Sequence, residues 1–162
     1  MKLIECIDIG NYGRSPLAEI FASDYFRQRN LDTEWAVISS GVGVDEINSR
    51  SEVSLEGNIE IANRQRLLLE LGLTDRIKVF PEQTVARPDV FAILCLDKRT
   101  YRKVLGIYRE TWYCPTICVM SNFANGTNEV PNSFGKSFED YKRSIEQVAF
   151  ELPLVLRKII GE

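Results

Sequence analysis

The segment Asp8-Ile9-Gly10-Asn11-Tyr12-Gly13-Arg14-Ser15 lies between an apolar, β-prone stretch and a Ser-Pro pair suited to a helix start. A short loop in that position turns its backbone N–H groups toward one point above the helix N-terminus, where the helix dipole adds positive potential. Gly10 and Gly13 open backbone conformations closed to other residues, and the Arg14 guanidinium offers a fork that matches two phosphate oxygens. Ile9 to Ser15 therefore reads as a cradle for a phosphate-like anion. The plainer alternative is a tight turn with a surface arginine.

Other reactive side chains are sparse. The chain has no histidine, which removes the commonest metal ligand and the side chain that titrates nearest neutrality. Cys6 lies two residues before Asp8 on the same strand face and reads as a core thiol. Cys114 and Cys118 flank Pro115 without a second cysteine pair, so no metal site is expected there. With Cys95 they make four cysteines set in apolar runs, too few for a disulfide framework, and they read as reduced. Glu5 inside a central strand needs a partner, because an unpaired buried charge is costly. No cofactor is implied by any of these residues.

Holding such a loop takes a strand before it and a helix after it. Leu3 to Ile9 supplies the strand, and Ser15 as N-cap with Pro16 as first residue begins a helix of about four turns through Leu17, Ile20, Phe21 and Tyr25. Trp35 to Ser39 reads as a second strand, followed by a polar loop of low helical content reaching about Gly57. Apolar residues from Ile59 to Leu71, closed by Gly72, predict another helix. Val90 to Leu96 is apolar without alternation, as in a strand covered on both faces, and Asp97 caps a helix from Lys98 to Leu105. Thr116 to Met120 gives a fourth strand, and Phe138 to Ile159 a long last helix that Pro153 should kink or break. The alternation predicts an α/β fold, a four-stranded parallel sheet between helices, with ligands beyond the carboxyl ends of the strands.

The composition sets the outer limits. A chain of 162 residues, 44% hydrophobic and 27% charged, suits one domain over residues 1–162. Its longest apolar run, Val90 to Leu96, is seven residues, against roughly 20 for a membrane span. A net charge of −3 with interspersed signs does not suit a nucleic-acid partner. Met1 and Lys2 enter a strand directly, with no leader pattern, so a cytoplasmic protein is expected.

Gly10-Asn11-Tyr12-Gly13-Arg14-Ser15-Pro16-Leu17-Ala18-Glu19 resembles the signature loop and first helix of the low-molecular-weight protein tyrosine phosphatases. Ser39-Ser40-Gly41, Asp89 to Asp97 and Val130-Pro131-Asn132-Ser133-Phe134-Gly135 resemble later family segments in the same order. The resemblance implies the family's three-layer sandwich and a site binding phosphate, a phosphorylated protein or a small molecule. It also implies that Asp8 stands where the family has its nucleophilic cysteine, and Asn132 where it has its general-acid aspartate. An amide cannot protonate a leaving group, so roughly 10² to 10⁴-fold of acid catalysis is missing at that position. The implied protein is an impaired phosphatase whose Asp8 fills its own cradle by bonding the loop amides and pairing with Arg14, retaining a phosphate-type loop for a phosphorylated group or a protein partner. The alternative is an active phosphatase using Asp8 with Arg14. Against it, two unit charges about 4 Å apart repel by roughly 4 kcal/mol at a dielectric of 20. Arsenate reductase shares the fold but needs the missing cysteine, and a flavodoxin-like cofactor binder fits Arg14 poorly. No aromatic residue occurs in Val42 to Arg50, which leaves Tyr12 and Phe134 as candidates to stack on a substrate ring.

Overall fold

Apolar runs become the strands, and polar caps set the helix limits. The computed structural model describes residues 1–50, 54–77, 80–126 and 128–162. Along the chain come β1 (Lys2–Asp8), α1 (Arg14–Gln28), β2 (Trp35–Gly41), α2 (Val44–Asn48), α3 (Leu55–Leu71) and β3 (Val90–Cys95). They are followed by α4 (Lys98–Tyr108), β4 (Thr116–Val119), α5 (Met120–Phe123) and α6 (Phe138–Ile160).

The strands form one parallel sheet in the order β2-β1-β3-β4, as the alternation predicts. β1 is central, paired with β2 from Lys2 opposite Trp35 to Asp8 opposite Gly41, and with β3 from Leu3 to Ile7. That register sets Asp8 at the carboxyl edge of the sheet. Side chains alternate across the faces. Ile4, Cys6, Ala92 and Leu94 meet Ala18, Ala22 and Phe26 of α1 and Val148, Leu152 and Leu156 of α6. On the opposite face Ile7, Ile93 and Cys95 meet Val104 and Tyr108 of α4. α3 packs outside the first layer, with Leu67 and Leu68 against Leu17, Tyr141 and Ile145.

One sequence expectation is corrected here, and of the kink or break expected at Pro153 the break does not occur. The stretch after β2 is not all loop: Val44–Asn48 is helical, because Val44 is buried and the Gly43 amide donates to Ile9 O at 2.8 Å. Residues 51–53 of that stretch lie outside the described residues. α6 runs through Pro153 without a break. Val148 and Leu152 before it and Val155 and Leu156 after it are all buried. Each contributes about 1.5–3 kcal/mol by burial, which together outweighs a proline cost of roughly 3 kcal/mol. Elsewhere the punctuation agrees: Gly72 ends α3 in the left-handed region at φ 66°, and Asp97 Oδ1 accepts from Thr100 N at 2.7 Å. All four cysteines are free, with Cys6 and Cys95 buried and Cys114 exposed rather than embedded. Among the described residues no helix is long and apolar enough to cross a membrane, and no cluster of His, Cys, Asp and Glu could hold a metal.

Candidate functional site

Because β1 stops at Asp8 and α1 begins at Arg14, the intervening residues must turn at the sheet edge and feed the helix. Asn11 makes that turn with a left-handed backbone, φ 54°, which asparagine tolerates better than most residues. Its side chain ties three segments together. Nδ2 donates to Ser15 Oγ at 3.0 Å and to Ser39 Oγ at 2.9 Å, while Oδ1 accepts from Glu82 N at 2.9 Å. Beneath it, Ser40 Oγ donates to Glu5 Oε1 at 2.6 Å, giving the buried strand carboxylate a partner.

Asp8 is 4% exposed and points into the loop. Its Oδ1 accepts from Asn11 N at 2.6 Å, and its Oδ2 accepts from Ser15 N at 3.0 Å. Ser15 lies in the first turn of α1, so a strand-end carboxylate caps the helix. This corrects the expected N-cap: the cap position is Gly13, no side chain bonds from it, and Ser15 Oγ donates instead to Ser40 O at 3.3 Å. A buried anion takes the first-turn amide and faces the positive end of the dipole, which leaves Ser15 nothing to cap. The amides of Gly10, Tyr12 and Gly13 donate to no acceptor among the described residues.

Arg14 does not pair with Asp8. Its Nη2 donates to Asp97 Oδ2 at 2.8 Å and its Nη1 to Val130 O at 3.1 Å, in a site only 3% exposed. The guanidinium thus joins the loop to the end of β3 and to the segment ahead of α6. Burial pushes the Asp97 carboxyl up, but Arg14 and the Thr100 contacts outweigh it and hold the group below the usual carboxylate range.

A cleft of about 210 Å³ opens over the loop. Asp8, Ile9, Gly10, Tyr12, Gly13 and Arg14 of the loop line it, together with Asn132 and Phe134. Asn132 is exposed, with Oδ1 accepting from Phe134 N at 3.2 Å. Asn11 and Ser15 lie beneath the cleft as supports. Ile47 contributes where no aromatic occurs, and Gly43, Glu46, Arg50, Glu60, Arg99 and Lys103 complete the lining. Glu60 of α3 sits against Gly13 so closely that a Cβ at position 13 would overlap its Oε1. Burial first, and the Asp8 carboxylate second, push the Glu60 carboxyl up to about 7, against Arg14 and Arg64. Among the described residues its Oε2 has no hydrogen-bond partner, and neither has the buried hydroxyl of Tyr141 beside Gly13. The site is therefore an acidic floor under a partly basic mouth.

The model of the low molecular weight phosphotyrosine protein phosphatase family matches residues 4–160. The chain belongs to that family. Its fold is similar to an arginine phosphatase of Drosophila, at 21% identity and a TM-score of 0.76 over 98% of this chain and 97% of the other. A low molecular weight phosphotyrosine phosphatase of Vibrio cholerae gives 21% identity and a TM-score of 0.72 over 100% and 98%. A protein tyrosine phosphatase of Entamoeba histolytica gives 17% and 0.73, with 99% of each chain covered. No curated protein sequence matches it.

In this family member the loop residues named from sequence do come together, but Glu60, Arg99 and Lys103 were not foreseen. Glu60 had a readable signal. Gly57, Glu60, Asn63 and Leu67 recur at helical spacing, so polar groups share the buried face of α3. Arg99 and Lys103 follow Asp97 in α4, and only the path of the chain brings them over the loop.

Proposed function

We propose that this chain is a catalytically impaired phosphatase-family protein that binds through its cleft, a phosphorylated group or a protein partner being the ligand. The observation that carries the reading is the Asp8 carboxylate on the amides of Asn11 and Ser15. By the family resemblance, position 8 is the nucleophile's place, and a carboxylate bonded through both oxygens is poorly disposed to attack phosphorus. Its charge also repels a phosphate at the same point. Asn132, which also lines the cleft, has no proton to give. Arg14, tied to Asp97 and Val130, serves to shape the loop. Four free thiols support a reducing compartment such as the cytoplasm.

Two measurements test this. Wild type hydrolyses a generic aryl phosphate more than about tenfold below 1 s⁻¹, the low end of typical enzymes, with Arg14→Ala as the control for contaminating phosphatases. Turnover above that level, absent from the control, would favour Asp8 as nucleophile. Asp8→Ala, checked for folding by circular dichroism, binds phosphate or tungstate at least about tenfold more tightly by calorimetry, because a repelling charge has left the amides. Unchanged or weaker binding would mean that Asp8 does not fill the cradle.

A further inference from the structure

α4 carries Lys98, Arg99, Arg102 and Lys103 and no acidic residue, in a chain of net charge −3. Both of its i,i+4 charge pairs, Lys98 with Arg102 and Arg99 with Lys103, are like-charged, which works against the helix. Lys98 and Arg99 also occupy the first turn, where the dipole repels cations. Lys98 is offset by Glu129, at 3.4 Å. Arg99, Arg102 and Lys103 are exposed and make no hydrogen bond or ion pair among the described residues. Stability of the helix does not account for this arrangement, whereas an external anion does.

Arg99 and Lys103 line the cleft, and so does Arg50, partly neutralised by Glu46 at 3.4 Å. Asp8 and Glu60 below repel an anion from the floor, so it is held at the mouth. Two cations one helical turn apart stand about 5–6 Å from each other at Cβ. Alternate residues of an extended peptide repeat at about 6.6 Å, so two carboxylates of one strand can meet both cations. A flat membrane surface cannot enter a cleft, and a nucleic acid needs a broader basic face.

We propose that α4 and the cleft mouth dock an extended acidic segment of a partner protein, its alternate carboxylates held by Arg99 and Lys103. This rests on the binding reading above and gives the partner its chemistry. The probe is a fluorescein-labelled octapeptide alternating Glu and Ser, compared at low salt with its Gln counterpart, phosphatidylserine vesicles and a single-stranded oligonucleotide. The full chain binds the Glu peptide and not the Gln peptide. R99Q/K103Q weakens that binding about tenfold, as expected for two exposed charge pairs. R109Q, at the far end of α4, changes it by less than about twofold.

Removing a like-charged pair leaves the melting temperature of the double variant at or above wild type. A clear fall would assign the pair a structural role and overturn the proposal. So would no binding of the Glu peptide, equal binding by the double variant, or tighter binding of vesicles or oligonucleotide through the same two residues. Aryl phosphate turnover is measured on the same preparation: its presence defeats the impaired-enzyme reading, while peptide binding alone decides the docking surface.

Discussion

Near neutral pH the Glu60 carboxyl lies between its two forms, since burial and then the Asp8 charge raise it from 4.5 to about 7. The folded chain holds this proton more tightly than the unfolded one. Its stabilising contribution is therefore complete below about pH 4.5 and is lost as pH rises through about 7. At about 1.36 kcal/mol per unit the difference is of the order of 3 kcal/mol. Asp24 and Asp97 are lowered and act in the opposite sense, losing stability as pH falls, so the test must be a difference between two proteins. Glu60→Gln should match wild type near pH 4 and exceed it at pH 8, approaching ~3 kcal/mol in urea unfolding. An equal change at both pH values would point to packing rather than titration. Groups facing Glu60 include Asp8, Arg14, Arg64 and Tyr141, and these come from β1, α1, α3 and α6. Spacing along one helix could not reveal that set. Similarly, Arg14 was legible as a guanidinium at an anion loop, but its partner Asp97 lies 83 positions away.

At the scale of elements, two glycines predict changes of opposite sign. Gly41 ends β2 against the loop, where an added Cβ would stand 2.7 Å from Asn11 N and 2.8 Å from Ile9 O. Both neighbours are backbone and neither can yield without moving the loop. Gly41→Ala should therefore cost about 1–3 kcal/mol by overpacking, read from thermal or urea unfolding. Gly106 lies within α4, and a Cβ there meets nothing within 4 Å. Gly106→Ala should add about 0.5–1 kcal/mol by restricting the unfolded chain and favouring the helix. A loss at Gly106 or no effect at Gly41 would contradict the packing described. The elements themselves were legible where the apolar pattern was strong, as an unbroken run in β3 and a helical period in α6. They were misread where tertiary contacts override local rules. Pro153 forbids a helix only in isolation, and α1 is capped by a residue from another element.

The cleft is a property of the whole chain, because its parts come from the end of β1, the start of α1, the segment ahead of α6 and the helices around them. If the loop keeps the family geometry, restoring two side chains should restore chemistry. In Asp8→Cys a thiolate would lie near the amides of Asn11 and Ser15 and the N-terminus of α1, which lower a thiol pKa and populate the nucleophile at neutral pH. In Asn132→Asp a carboxylic acid enters the same cleft and can protonate the leaving phenolate. The two roles belong to one displacement, so the double variant should give aryl phosphatase activity while each single variant gives much less. Recovery should be partial. Ile47 stands in a wall without an aromatic ring, and Glu60 keeps a second titratable group at the loop. The measurement is a burst of phenolate stoichiometric with enzyme, and a phosphocysteine trapped by mass spectrometry at position 8. As pH rises and Glu60 ionises, its charge joins the repulsion on the incoming phosphate, and the burst should weaken. A folded double variant with neither burst nor adduct would show that the loop, despite its sequence, no longer presents its amides to a phosphoryl group.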